Sequence, residues 1–175
     1  MTATSPTRVN WKPPHEERLK MNFDGACDLK NGLSGLGVMF RDSQGVMKGA
    51  MAVPQVGKLP PRSVEALALL HGLRFALHME FLSIEVEGDG LSVINSFNDS
   101  FDDLSYEGHI IDEVKSLIQY FNSCSGHFVK LEGNRVAHRL AKEALKISQH
   151  SLCLESVLIG SINVSIWTFN VKYSL

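Results

Sequence analysis

Three acidic residues occupy positions where folding can bring distant side chains together. Asp24 ends an alternating segment and precedes a glycine, Glu65 falls in the first turn of a predicted long helix, and Asp89 lies between two glycines. Strand ends, helix starts and glycine turns give a ligand close access. Converging carboxylates repel one another unless a cation binds them. Mg²⁺ prefers oxygen ligands, and a pair of such ions can activate water for phosphodiester cleavage.

Each acid also has a simpler interpretation. An Asp-Gly pair is commonly a turn, an acid in a first helical turn complements the helix dipole, and Asp89 is suited to capping the helix that follows it. Spacing alone does not show that the three side chains meet. Both interpretations therefore remain open at this point.

Hydrophobic periodicity predicts the elements that must position these acids. Residues 19–24 alternate, with Leu19, Met21 and Phe23 on one side, which predicts a strand with one buried face. Turns rich in Gly and Asn separate this strand from the next ones, so the first three strands are predicted to form an antiparallel meander. The other predicted strands cover residues 35–41, 46–53, 83–87 and 127–131.

Helical spacing predicts a long helix from Ser63 to about residue 80, and Asn134 is predicted to be the N-cap of a last helix that reaches about residue 147. Shorter helices are predicted at 91–97 and 108–122, around a polar connection at 98–106. This order of elements predicts an α/β fold with a mixed sheet and helices on its faces.

The chain divides into three predicted segments. Residues 1–18, with Pro13 and Pro14, are predicted to be an extended N-terminal arm, and residues 19–148 form the domain. Residues 149–175 alternate apolar and small polar residues, which predicts an extra strand-like tail of unknown role.

Bulk composition sets limits on function. The chain has 175 residues, enough for one domain with a core, and a net charge of −2 gives no global basic signature of a nucleic-acid binder. Three cysteines without a CxxC pair predict neither a disulfide nor a zinc site and favour a reducing compartment, nucleus or cytoplasm. We expect no signal peptide and no membrane partner, because apolar runs of the required length are absent. We expect a monomer.

Six sequence blocks together resemble the plant reverse-transcriptase-like branch of the type 1 ribonuclease H family, in that family's order and across about residues 11–148. The blocks are WKPP (11–14), LKMNFDGA (19–26), GLGV (35–38) with FRDS (40–43) and Gly45, VEALA (64–68), EGD (87–89) and GNRVAHRLAK (133–142).

The resemblance implies a fold and a reaction. The sheet would have five strands in the order 3-2-1-4-5, with helices on both faces, and the protein would cut the RNA strand of RNA–DNA hybrids. Asp24, Glu65 and Asp89 match the family's three principal metal-binding carboxylates. Mg²⁺ is the implied cofactor, with Mn²⁺ as the alternative.

The chain departs from the family pattern at His138, where active members usually carry a fourth carboxylate, an Asp. Histidine is common at this position in the plant branch. An imidazole can hold a second metal and suits Mn²⁺ better than Mg²⁺. The alternative is a histidine that packs or contacts solvent and leaves that metal poorly held.

Two other departures concern the loops. The link at residues 132–133 is short, without the mobile histidine of many active members. No basic extension is present, and residues 98–108 are acidic. The mobile histidine of that family is implied to help product leave, whereas the missing extension and the acidic residues predict modest affinity for duplex phosphates.

Substrate contacts are predicted by position. A hybrid duplex would be recognised through its shape and its 2′-hydroxyls. The candidates are Asn31 and Ser34 in the first hairpin, Arg62 and Ser63 before the first helix, and Arg135 and Arg139, with Lys142 and Lys146, on the last helix. The alternative for the last four residues is an ordinary solvated helix face.

Three functional hypotheses follow from the sequence. The first is a metal-dependent endonuclease acting on RNA–DNA hybrids. The second is a catalytically weak or inactive nucleic-acid-binding module derived from a retroelement. The third is a protein-interaction module that uses residues 149–175 as a docking strand.

Overall fold

The protein's structure, a computed structural model, describes residues 11–99 and 106–147 in full, and only the backbone at 152–153, 156–159 and 162–165. Its centre is strand β1 (Leu19–Asp28), which pairs antiparallel with β2 (Leu33–Arg41) and parallel with β4 (Ser83–Gly88). Strand β3 (Met47–Val56) continues the meander beside β2, and β5 (Ser123–Phe128) pairs parallel with β4. The predicted order 3-2-1-4-5 is confirmed.

The C-terminal residues that are described add strands at the edge. Strand β6 (Leu152–Cys153) pairs antiparallel with β3, so the sheet order is β5-β4-β1-β2-β3-β6. Strands β7 (Ser156–Ile159) and β8 (Ile162–Ser165) form a separate antiparallel pair. The rest of the predicted tail, 149–175, lies outside the described residues.

Helices cover both faces of the sheet, as the sequence predicts. On one face, α1 (Pro61–His78), α2 (Leu91–Asn98) and α3 (Tyr106–Ile118) share the main apolar core with the inward side chains of the strands. On the other face, α4 (Arg135–Ala144) packs over β2. Its backbone approaches so closely that a Cβ at Gly35 or Gly37 would lie 2.1 or 2.2 Å from an α4 carbonyl oxygen.

Strand β1 is buried on both faces, which corrects the prediction of one buried face. Lys20, Asn22 and Asp24, on its polar face, are 3%, 0% and 3% exposed. The polar face is covered by α4 and by part of the predicted arm. Lys20 Nζ donates to Glu87 Oε1 at 2.6 Å, and the indole Nε1 of Trp11 donates to Asn22 Oδ1 at 3.1 Å. A central strand in a sheet that is covered on both faces has no solvent side, and pairing satisfies the buried polar groups.

Several element boundaries differ from those predicted, and those of β5 and α1 have a clear physical reason. Strand β5 lies at Ser123–Phe128 and not at 127–131, and a 3₁₀ turn follows at Leu131–Gly133. Tertiary packing overrides the β propensity of the later residues, because Gly126 leaves space for the Phe97 ring, which a Cβ would approach to 2.4 Å. Helix α1 begins at Pro61, a favourable first position for proline, so Glu65 lies in the second turn.

Within the described part of the chain, no helix combines the length and the apolarity needed to cross a membrane. Among the cysteines whose side chains are described, Cys27 and Cys124 are free thiols.

We predict that Trp11→Ala lowers the free energy of unfolding by about 2 kcal/mol, because it uncovers a buried polar network. The Arg41 guanidinium carbon lies 4.1 Å from the indole centroid, so a cation–π contact is lost together with the hydrogen bond. Trp11→Phe is the matched control and should lose about half as much, since it keeps a ring. Urea denaturation of both variants measures the effect. A Trp11→Ala variant as stable as wild type would contradict this account of the segment.

Candidate metal centre

The candidate centre lies where β1 and β4 stop pairing. The parallel ladder between these strands ends at Asn22 and Glu87. Asp24 lies two residues further along β1, where it pairs with Gly37 of β2. Asp89 directly follows β4. The sequence predicted that Asp24 ends the first strand. In the structure Asp24 lies within β1, which continues to Asp28. The separation of the two strands makes room for the carboxylates.

Three carboxylates converge at this point. Asp24, Glu65 and Asp89 each offer one oxygen, and these oxygens all lie within 4.8 Å of one another. Asp24 is buried, and Glu65 and Asp89 are partly exposed. The structure thus brings together the three acids that the sequence singled out.

The simpler interpretations do not fit their surroundings. Gly25 lies inside β1, and a Cβ there would be 2.8 Å from the backbone nitrogen of Glu65, so this glycine permits α1 to approach and forms no turn. Glu65 lies beyond the first helical turn. Helix α2 has Gly90 at its N-cap and no side-chain cap hydrogen bond, so Asp89 does not cap it.

Burial and mutual repulsion disfavour the ionised carboxylates. Burial raises the pKa of Glu65 to about 8, and the charges of Asp24 and Asp89 add to this effect. Burial also raises the pKa of Asp24 to about 6, with Asp89 contributing, although hydrogen bonds from His138 and the Gly25 N–H act in the opposite direction. A bound cation would relieve this unfavourable concentration of negative charge.

One oxygen in the centre has no protein partner. Glu65 Oε2 is buried and receives no hydrogen bond, which is rare for a buried polar atom. Gly90 leaves the space that this oxygen needs, because a Cβ there would lie 1.9 Å from it. An oxygen-only donor set with an unsatisfied buried atom fits a hard divalent cation such as Mg²⁺.

His138 contacts one of the acids and lies outside the three-carboxylate group. Its Nδ1 lies 2.6 Å from Asp24 Oδ2, and its side chain is 31% exposed. Neither interpretation from the sequence, metal ligand or packed and solvated residue, included this bond. When Nδ1 carries a proton, it donates to the ionised Asp24 and orients it.

Asn134 is a member of the site that sequence reasoning missed. It occupies the N-cap position of α4 but makes no side-chain cap hydrogen bond. Its Nδ2 donates instead to the Phe23 carbonyl at 2.8 Å and to Asp89 Oδ1 at 2.9 Å. The one sequence signal for this role is its position four residues before His138, on the same face of the helix.

The predicted nucleic-acid contacts have mixed placements. Asn31 is exposed beside Asp28, and the half-exposed Arg62 donates to Ser96 Oγ at 3.0 Å and pairs with Glu107. Arg135, Arg139, Lys142 and Lys146 are exposed on or next to α4.

The two predicted serine contacts are buried. Ser34 and Ser63 are 1% and 4% exposed, and Ser63, like Arg62, lies inside α1 rather than before it. Their side chains are not presented to a duplex, so we do not retain them as contact residues.

Comparison with known proteins shows the family. Residues 22–144 match the model of the reverse transcriptase-like family, and the chain belongs to that family. No curated protein matches the sequence.

Solved structures identify the fold as ribonuclease H-like. RNase H1 from the halophilic archaeon Halobacterium salinarum is 25% identical with a TM-score of 0.68, over 74% of this chain and 98% of that one. The N-terminal RNase H domain of a Mycobacterium tuberculosis protein is 18% identical with a TM-score of 0.67, over 74% and 94%. LC11-RNase H1 in complex with an RNA/DNA hybrid is 17% identical with a TM-score of 0.66, over 74% and 97%.

We predict that Glu65→Gln stabilises the metal-free protein at pH 8.5 by about 1–3 kcal/mol. The folded pKa of Glu65 lies near 8, above the ordinary 4.5, so the folded state holds this proton more tightly than the unfolded state. Wild type therefore loses stability as pH rises from about 4.5 to about 8, and glutamine removes that loss.

Urea unfolding in EDTA at pH 5 and pH 8.5 tests this prediction, and millimolar Mg²⁺ or Mn²⁺ should remove the advantage of glutamine. Parallel pH profiles for the two proteins in EDTA would show that Glu65 is not destabilised in the fold.

Proposed function

We propose that this protein is a divalent-metal-dependent endonuclease that hydrolyses the RNA strand of RNA–DNA hybrids. The observation that carries the proposal is the convergence of Asp24, Glu65 and Asp89, with the buried Glu65 Oε2 left unpartnered. The shared fold with LC11-RNase H1, whose structure contains an RNA/DNA hybrid, supports the substrate. The six sequence blocks support membership of the plant branch of this family.

The three carboxylates would hold the metal, Mg²⁺ or Mn²⁺. When bound, the metal lowers the pKa of a water molecule and neutralises charge on the leaving oxygen, and the products carry 3′-hydroxyl and 5′-phosphate ends. Asp24 is oriented by two hydrogen bonds, from the Gly25 N–H at 2.8 Å and from His138. Asp24 would be the central ligand of this group, and His138, bound to it, would assist in holding metal.

Surface residues near the centre would hold the duplex. Asn31, Arg62, Arg135 and Arg139 are the candidates that remain exposed. A net charge of −2 means that phosphate attraction is local, so affinity would be modest and would fall with salt. The hybrid would be recognised through its 2′-hydroxyls and its minor-groove shape.

We predict that purified protein cleaves a labelled RNA–DNA hybrid in Mg²⁺ or Mn²⁺, and that Asp24→Asn reduces the rate at least about 100-fold by removing one of the three carboxylates that would hold the metal. Gel separation of the products measures the rate and the end groups. The exposed Asn31→Ala is the matched control and should change KM more than kcat. An intact hybrid under both metals contradicts the proposal.

The second candidate function is a nucleic-acid-binding module with little or no turnover, derived from a retroelement. One observation favours it: His138 Nδ1 is bound to Asp24 and lies outside the three-carboxylate group. Metal would then be held less firmly than the family pattern, which has an Asp at this position, implies.

We predict that His138→Asp raises the cleavage rate in Mg²⁺ at least about 10-fold, because an added carboxylate suits this ion better than imidazole does. Single-turnover kinetics on the same hybrid measure the gain. An unchanged or lower rate would show that His138 is already the suitable residue, and would count against the binding-module alternative.

A further inference from the structure

Asn134 joins the two strands that carry the acids, at the point where they separate. It is 0% exposed and lies at the start of α4. One hydrogen of its amide nitrogen goes to the carbonyl of Phe23, the residue before Asp24, and the other goes to Asp89 Oδ1. The amide therefore links β1 and β4 just beyond the last pair of their ladder, Asn22 and Glu87.

The orientation of this amide is fixed by its partners. Both partners are acceptors, so a flipped amide would place its oxygen against two other oxygens. The Oδ1 atom of Asn134 is buried and has no partner. The Asn134 side chain thus leaves its oxygen without a partner while both N–H groups of its amide bind β1 and Asp89. An asparagine that caps a helix instead uses its side-chain oxygen to accept a hydrogen bond from the helix backbone.

Two residues one helical turn apart, Asn134 and His138, each bind one of the acids. The backbone N–H of His138 donates to the Asn134 carbonyl at 3.1 Å, so the two residues stand four apart, about 6 Å along the helix axis. Asn134 binds Asp89 and His138 binds Asp24. The spacing of one helical turn therefore helps to set the spacing of the two carboxylates.

The chemistry of the amide suits a cation site. A neutral donor orients Asp89 without adding a positive charge that would compete with a metal ion, as a lysine or arginine would. It engages Oδ1 of Asp89 and leaves the other oxygen for coordination. Hydrogen bonds to metal-ligating carboxylates commonly change metal affinity about 10- to 100-fold when they are removed.

We propose that Asn134 is a positioning residue, which sets the metal affinity of the centre by fixing Asp89 relative to Asp24. This inference rests on the metal-dependent function proposed above. Asn134 would act through Asp89, to which its amide donates.

The test is calorimetric titration of the full chain with MnCl₂ and with MgCl₂, without nucleic acid. Asn134→Ser is the decisive variant, because serine can cap α4 and so protects the fold while removing both amide donors. We expect the dissociation constant for Mn²⁺ to rise at least about 10-fold. Asn134→Thr provides the same test if the serine variant does not fold.

Val114→Ala is the matched control, since Val114 is 0% exposed and lies in α3, which carries none of the residues of the centre. It should lower the melting temperature and leave the dissociation constant within about 2-fold, because additivity holds for independent sites. If the Asn134 variants bind Mn²⁺ as wild type does, with or without a loss of stability, the positioning role is overturned. If wild type binds neither ion, the proposed metal-dependent function itself fails.

Discussion

Repulsion among three buried or half-buried carboxylates is the constraint on which the rest of this structure depends. Folding must hold Asp24, Glu65 and Asp89 within 4.8 Å of one another, although burial raises the pKa of two of them. The sheet, α1 and α4 supply the packing that makes this arrangement possible. A part of the stability that those cores provide is thus used to maintain a site that is unfavourable until a cation binds.

Two kinds of buried charge lie side by side on the polar face of β1. Lys20 is paired with Glu87 at 2.6 Å and with Glu85 at 3.6 Å, so its charge is neutralised within the protein. Asp24, four residues later, receives only neutral or weakly basic donors, from Gly25 and His138. The two charges on this strand therefore differ in role. Lys20 is neutralised within the protein, whereas the charge of Asp24 is left for a bound cation to neutralise.

The sequence predicted the strands and helices through their periodicity, while the sheet order and the meeting of the acids followed from the resemblance of its motifs to a known family. It did not predict that Lys20 and Asn22 are buried, since local alternation does not show that a strand has layers on both sides. It misplaced β5, where the space left by Gly126 for Phe97 outweighs strand propensity. The role of Asn134 depends on contacts with residues 45 and 111 positions away, which no local pattern records.

The two glycines of β2 have a consequence for how the centre tolerates change. Gly35 and Gly37 let the backbone of α4 rest directly on the sheet, without a layer of side chains between them. A helix seated on backbone has little freedom to slide or roll, so its first turn keeps a fixed height above β1. A larger residue at Gly35 or Gly37 would push α4 away from the sheet. Because residues of α4 bind Asp24 and Asp89, this shift would change the distance between two acids that the substituted residue does not contact.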